Sequence, residues 1–204
     1  MKGILTVVSG FAGAGKGTIM NKLISEYGGY ALSVSATSRQ PRPGEKEGIN
    51  YFFKTREGFE EMIKNDAFLE YAEYVGNYYG TPRAFVEKEL SEGRNVLLEI
   101  EIQGALQIRK AFPDSVLIFI LPPSATELKR RLTGRGTETE EIVRSRMERA
   151  IEESKGIDNY DYILINDNAD SCAEELHGII KASKQRPERN KDFIERIQRE
   201  LKEI

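Results

Sequence analysis

The sequence predicts an α/β fold: three layers, αβα, with helices on both faces of a mostly parallel sheet. Two observations predict it. Short apolar runs alternate with segments of helical periodicity along most of the chain. The first run, "ILTVVS" at 4–9, also passes through a glycine-rich loop directly into a helical pattern, as parallel α/β sheets are wound.

The elements follow in order. Residues 4–9 are nearly all apolar and rich in β-branched side chains, as suits a strand buried on both faces. "GFAGAGKGT" at 10–18 then has the outline of a phosphate-binding loop, with Gly10, four residues, Gly15 and Lys16. Backbone N–H groups across Gly10, Phe11, Ala12, Gly13, Ala14, Gly15, Lys16, Gly17 and Thr18 would face an anion together with the following helix N-terminus. The usual pattern puts Ser or Thr after the lysine; here Gly17 takes that slot and the hydroxyl comes one residue late, on Thr18. The competing reading is an ordinary strand-to-helix turn with a surface lysine, which the matching flanks disfavour. Ile19, Met20, Leu23, Ile24 and Tyr27 recur at helical spacing, and Gly28-Gly29 ends the helix.

Further strands are expected at 30–35, 95–101, 115–121 and 161–166. Residues 36 to about 90 break the alternation: "RQPRPGEKEG", "NYFFKT" and "FLEYAEYVGNYYG" read as hairpins and one small helix inserted between core strands. A second insertion, "LTGRGTETEE", follows a helix at 124–133. Thr137 and Glu140 have capping-box spacing, so a helix is expected from there to about Ser154. Two insertions around a phosphate loop suggest an enzyme that closes over two substrates and excludes water.

Composition narrows the classes. The chain has 204 residues, 39% apolar and 31% charged, with a formal net charge of -3, which argues against a general nucleic-acid binder. The one cysteine, Cys172, cannot form an internal disulfide or a cysteine metal cage, which suggests a reducing cytoplasm. The run "VLIFIL" at 116–121 is too short to span a bilayer, so no membrane is expected. His177 is the only histidine, which disfavours histidine acid–base chemistry.

Several side chains invite a chemical reading. Arg39 and Arg42, flanking Pro41, form either a solvated basic turn or a bidentate phosphate clamp, to which Tyr51 and Tyr79 could add hydroxyls. Arg131, Arg135 and Arg146 bracket the second insertion; Arg135 lies between two glycines, as suits a mobile arginine reaching transferring phosphates. Glu99 and Glu101 end a strand at the carboxyl edge, where open sheets bind ligands, and are either exposed acids or functional ones. Glu99 fits a carboxylate near magnesium, directly or through water. Glu70 is either a solvent-facing strand residue or an acceptor for the adjacent N1–H and N2–H donors of guanine.

"SRQPRPGE", "GNYYGT", "EIEIQG" and "GRGTETEE", in that order behind the loop, resemble the guanylate kinase family over roughly residues 1–184. The resemblance implies a P-loop NTPase core at 1–34 and 92–184, a GMP-binding insertion at about 35–91, a lid at about 124–154, and a helical extension at 185–204. It implies ATP-dependent phosphorylation of GMP with Mg2+, by a monomer or homodimer acting on small molecules. Lys16 and the loop amides would hold ATP phosphates, with Asn168 on the adenine side. Arg39, Arg42, Tyr51 and Tyr79 would hold the GMP phosphate. Ser35, Glu70, Thr81 and Glu101 would read guanine, and Arg131, Arg135 and Arg146 would act on the phosphoryl group in flight, so that Lys16, Arg39 and these three carry catalysis. Two departures stand out: Gly17 where the family usually has Ser, and "EIE" where it has a "DID"-like segment. Other kinases of AMP or a ribose bisphosphate, and non-catalytic phosphopeptide-binding relatives, are the alternatives. The stripe Phe193, Ile197, Leu201 and Ile204 is expected to pack a terminal helix on its own domain, or else to form a dimer contact.

Overall fold

A computed structural model of the chain describes residues 2–74, 76–134 and 139–203, and of Tyr74 the backbone alone. Strand β1 (Leu5–Gly10) runs into α1 (Lys16–Glu26) and β2 (Tyr30–Leu32). The insertion contributes β3 (Ala36–Thr37), β4 (Phe52–Phe53), α2 (Arg56–Lys64), β5 (Phe68–Tyr74) and β6 (Asn77–Pro82). The chain continues through α3 (Arg83–Ser91), β7 (Asn95–Glu99), α4 (Ile102–Ala111), β8 (Val116–Leu121) and α5 (Ala125–Thr133). It ends with α6 (Glu140–Ser154), β9 (Tyr162–Ile165), α7 (Ala169–Ser183) and α8 (Lys191–Glu200).

Five strands form one parallel sheet in the order β2-β7-β1-β8-β9. Successive side chains of β1 point to opposite faces, and both faces are covered. Val8 joins Ile19, Met20, Leu23, Leu176 and Ile180 from α1 and α7. Val7 joins Val86 of α3, Ile108 of α4, and Leu98 and Leu117 of the flanking strands. Burying a side chain such as Leu23 completely is worth about 1.5–3 kcal/mol, so the two-sided apolar reading of 4–9 has an energetic basis. The strands end earlier than expected at β2 and β7, because the chain leaves the sheet at Leu32 and Glu99 for the loops that line the cleft described below.

The insertion forms a second sheet, β4-β3-β6-β5, over a small core of Ala36, Phe59 and Phe68. Phe59 stacks on Phe68 and Tyr78, with centroids 4.3 and 5.2 Å apart. The expectation of hairpins holds only for β5 and β6, which are antiparallel. Strands β3 and β4 pair in parallel, because the long segment between them returns the chain to the same end of the sheet. The helix after the second insertion also starts later than its capping-box spacing suggests. Thr139 caps α6, its hydroxyl accepting from Ile142 N at 3.4 Å, whereas Thr137 lies outside the described residues. Helix α8 forms, but its apolar stripe is only partly covered: Phe193 is 56% and Leu201 65% exposed, Ile197 is half-buried, and Ile204 lies outside the described residues.

Candidate active site

At the carboxyl end of β1 the glycine loop turns into α1, with Gly15 as N-cap at φ 93°. Lys16 folds back over the loop, its Nζ donating to the carbonyls of Gly10 at 2.7 Å and Phe11 at 3.3 Å. Phe11 anchors the loop by packing edge-on against Phe119, centroids 5.2 Å apart. Thr18 is exposed in the first turn of α1. A Cβ at Gly17 would lie 3.8 Å from Glu99 Oε2, with no other contact within 4 Å among the described residues. Glu99 is accessible to solvent, yet desolvation by the surrounding cleft pushes its carboxyl above its ordinary value, opposed by the charge of Lys16. Among the described residues no three His, Cys, Asp or Glu side chains converge as a metal cluster. A magnesium ion would fit beside Glu99 only by taking most of its oxygens from phosphate and water, as it commonly does.

A cleft of about 890 Å³ opens from this point toward the small sheet, lined by Lys16, Ser35, Arg39, Arg42, Tyr51, Glu70, Tyr79, Glu99 and Glu101, among others. Arg39 is held in place by a carboxylate. Arg39 forks onto Glu45, with Nη1–Oε2 at 3.0 Å and Nη2–Oε1 at 2.9 Å, and Arg42 N donates to the same carboxylate at 2.7 Å. Arg39 also lies 5.4 Å over the Tyr51 ring, and Tyr51 meets Tyr79 edge-on at 5.9 Å. Glu45 holds the Arg39 guanidinium firmly charged, and Arg39 in turn holds the Glu45 carboxyl below its ordinary value.

Across the cleft, Glu70 is only 6% exposed, so the solvent-facing alternative fails. Thr81 Oγ1 donates to its Oε1 at 2.6 Å, and burial raises its pKa against that hydrogen bond. Its second oxygen sits 2.7 Å from where a Cβ would stand on Gly104. The glycine of "EIEIQG" therefore makes room for this carboxylate. Glu101 lies beyond the end of β7, at the N-cap of α4.

A family model described as guanylate kinase matches residues 2–183. The chain belongs to the guanylate kinase family. It is 51% identical to a guanylate kinase of Caldanaerobacter subterraneus subsp. tengcongensis over 98% of this chain and 97% of that protein. It is equally identical, at 51%, to one of Clostridioides difficile over 98% of each chain. The crystal structure of guanylate kinase from Anaplasma phagocytophilum superposes with a TM-score of 0.75 at 33% identity, covering 91% of this chain and 88% of that one.

Within this guanylate kinase fold the remaining sequence-selected residues scatter more widely. Arg131 of α5 donates through Nε to Glu127 Oε1 at 2.7 Å and through Nη2 to the Asn166 carbonyl at 2.9 Å. Arg146 is half-buried on α6 and is not among the residues lining the cleft. Arg135 lies outside the described residues. Asn168 is the N-cap of α7: its Oδ1 accepts from Asp170 N at 2.9 Å and Ser171 N at 3.1 Å. Asparagine before a helical pattern is itself a cap signal. The asparagine that faces the glycine loop is Asn166, which the sequence reading passed over although it sits at the carboxyl end of a strand. Arg149 was also missed. It lines the cleft from α6, donating to Glu101 Oε2 at 3.0 Å and Glu153 Oε1 at 2.7 Å. Glu45 completes the omissions, although it belongs to "SRQPRPGE".

Proposed function

We propose that the chain transfers the terminal phosphoryl group of ATP to the phosphate of GMP, releasing ADP and GDP. The observation that carries this reading is the buried, Thr81-bonded carboxylate of Glu70, in the cleft that also receives Lys16. A carboxylate offers two acceptor oxygens and no donor, which suits the N1–H and N2–H edge of guanine and not the edge of adenine. Family membership points the same way, and the intact glycine loop with Lys16 disfavours a non-catalytic phosphopeptide module.

Donor phosphates would lie against the amides of residues 10–18, with Lys16 turning from the Gly10 and Phe11 carbonyls toward them. The acceptor phosphate would sit on Arg39, Arg42, Tyr51 and Tyr79, with Ser35, Glu70, Thr81 and Glu101 around the base. No general base is needed, because a phosphate monoester with a second pKa near ~6 is already largely ionised at neutral pH. The task is to hold two anions in line and to neutralise charge as it moves. Lys16, Arg39, Arg131, Arg135 and Arg146 supply positive charge for this. Magnesium, held by phosphate oxygens with Glu99 reaching it through water, would supply further neutralisation. Asn168 has a weaker case as an adenine contact, since its side chain is committed to capping α7.

A coupled assay of ADP release with GMP, AMP and ribose 1,5-bisphosphate as acceptors tests the reading. GMP is expected to be strongly preferred; preferential turnover of AMP would overturn it.

A further inference from the structure

We propose that Asn166 is a positioning residue for phosphoryl transfer, fixing the donor loop and the lid arginine Arg131 from one buried place. The inference rests on the reading that the glycine loop holds ATP. Asn166 is 5% exposed and follows β9 at the carboxyl edge of the sheet. Its own N–H donates to Leu121 O at 2.8 Å, which ties its backbone to the end of β8. Its side-chain Nδ2 donates to the carbonyl of Ala14 at 2.7 Å, across 152 residues of sequence. Its carbonyl accepts from Arg131 Nη2 at 2.9 Å.

These three bonds join parts that must stay in register. The Ala14 carbonyl belongs to the peptide that leads into Gly15, the αL residue from which α1 starts. With that carbonyl turned onto Asn166, the trans peptide plane is set and the Gly15 N–H points away from Asn166. The fit leaves no slack, because a Cβ on Gly15 would come within 2.3 Å of the Asn166 amide nitrogen. Arg131, which also donates to Glu127, is held at the same point through the backbone. Loop and arginine thus share one anchor that need not touch the nucleotide.

Asn166→Ala and Asn166→Ser test this, the second keeping a polar group too short to reach Ala14. Losing the donor leaves a buried carbonyl unpaired. KM for ATP is expected to rise on the order of tenfold, kcat to fall by a smaller factor, and KM for GMP to stay within about twofold. Amide hydrogen exchange over residues 11–16 is expected to quicken in both variants, a readout independent of turnover. A merely structural role would lower melting temperature and the active fraction while leaving KM for ATP unchanged, and that result overturns the proposal. Lys16→Met, titrated with a nonhydrolysable ATP analogue, separates the two levels. Wild-type affinity there would defeat the donor-loop reading itself; weakened affinity there with unchanged ATP binding in Asn166→Ala would defeat only the role of Asn166.

Discussion

In the proposed base site, Glu70 sets recognition against stability. Its carboxyl is buried and its pKa raised above the ordinary 4.5, chiefly by desolvation. The folded chain therefore binds this proton more tightly than the unfolded chain does. The resulting stabilisation is present below the ordinary value and is lost as pH rises through the raised folded value. Well above the ordinary value the carboxyl is therefore a burden on the nucleotide-free fold. Glu70→Gln removes the ionisation and keeps the shape. Its melting temperature without nucleotide is expected to exceed that of the wild type at pH 7–8, with the gap closing toward pH 4. The same variant replaces an acceptor with a donor at one oxygen position, so KM for GMP should rise at least about tenfold. Melting curves across pH and one Michaelis series check both halves, and a wild-type KM for GMP would remove Glu70 from base recognition. The sequence offered Glu70 only as one of two readings, because strand alternation shows which residues share a face and not which face is roofed. Here the roof is α4, a neighbour the sequence does not announce.

At the scale of elements, α4 makes room for the Glu70 carboxylate by what it lacks. Gly104 faces Glu70 Oε2 closely enough that a methyl group would have to displace it. Gly104→Ala is expected to raise KM for GMP about tenfold or more with KM for ATP unchanged, measured by varying each substrate in turn. The proposed mechanism gives the second insertion a different duty. Arg135→Ala is expected to lower kcat on the order of 10³-fold with little change in GMP affinity; single-turnover rates beside equilibrium titration read the two separately. Elements that bury apolar runs on both faces, β1, β7 and β8, were legible because their hydrophobic pattern is continuous. The two-residue strands β3 and β4 were not, since their pairing is set by the return of a long loop and by aromatic stacking around Phe59. Asn166 and Asn168 differ only in which way the chain turns after β9. Type and spacing alone did not separate the loop contact from the helix cap.

For the whole molecule, the two-sided parallel sheet, the glycine loop and the presence of an insertion between core strands could be read from motif order. The fate of the last helix could not. Its amphipathic pattern resembles that of a packed helix, yet α8 buries none of its residues. Arg196 instead lies 5.0 Å over the Phe193 ring. The preceding turn is tied in, by Arg189 to the Asp114 carbonyl and by Asn190 Nδ2 to Lys184 O at 2.8 Å. Deleting residues 191–204 is therefore expected to change kcat and KM less than about twofold and to move the melting temperature by only a few degrees. A large loss of stability at low protein concentration would show that the stripe is covered in solution.

The central claim is that one cleft seats the donor phosphates on the glycine loop and a guanine base on Glu70. A crystal structure of the chain with GMP and a nonhydrolysable ATP analogue tests it most directly. Triphosphate oxygens are expected within hydrogen-bonding distance of Lys16 and the loop amides, with the guanine N1–H and N2–H donating to Glu70. Nucleotide density away from the loop, or a base turned away from Glu70, would contradict it.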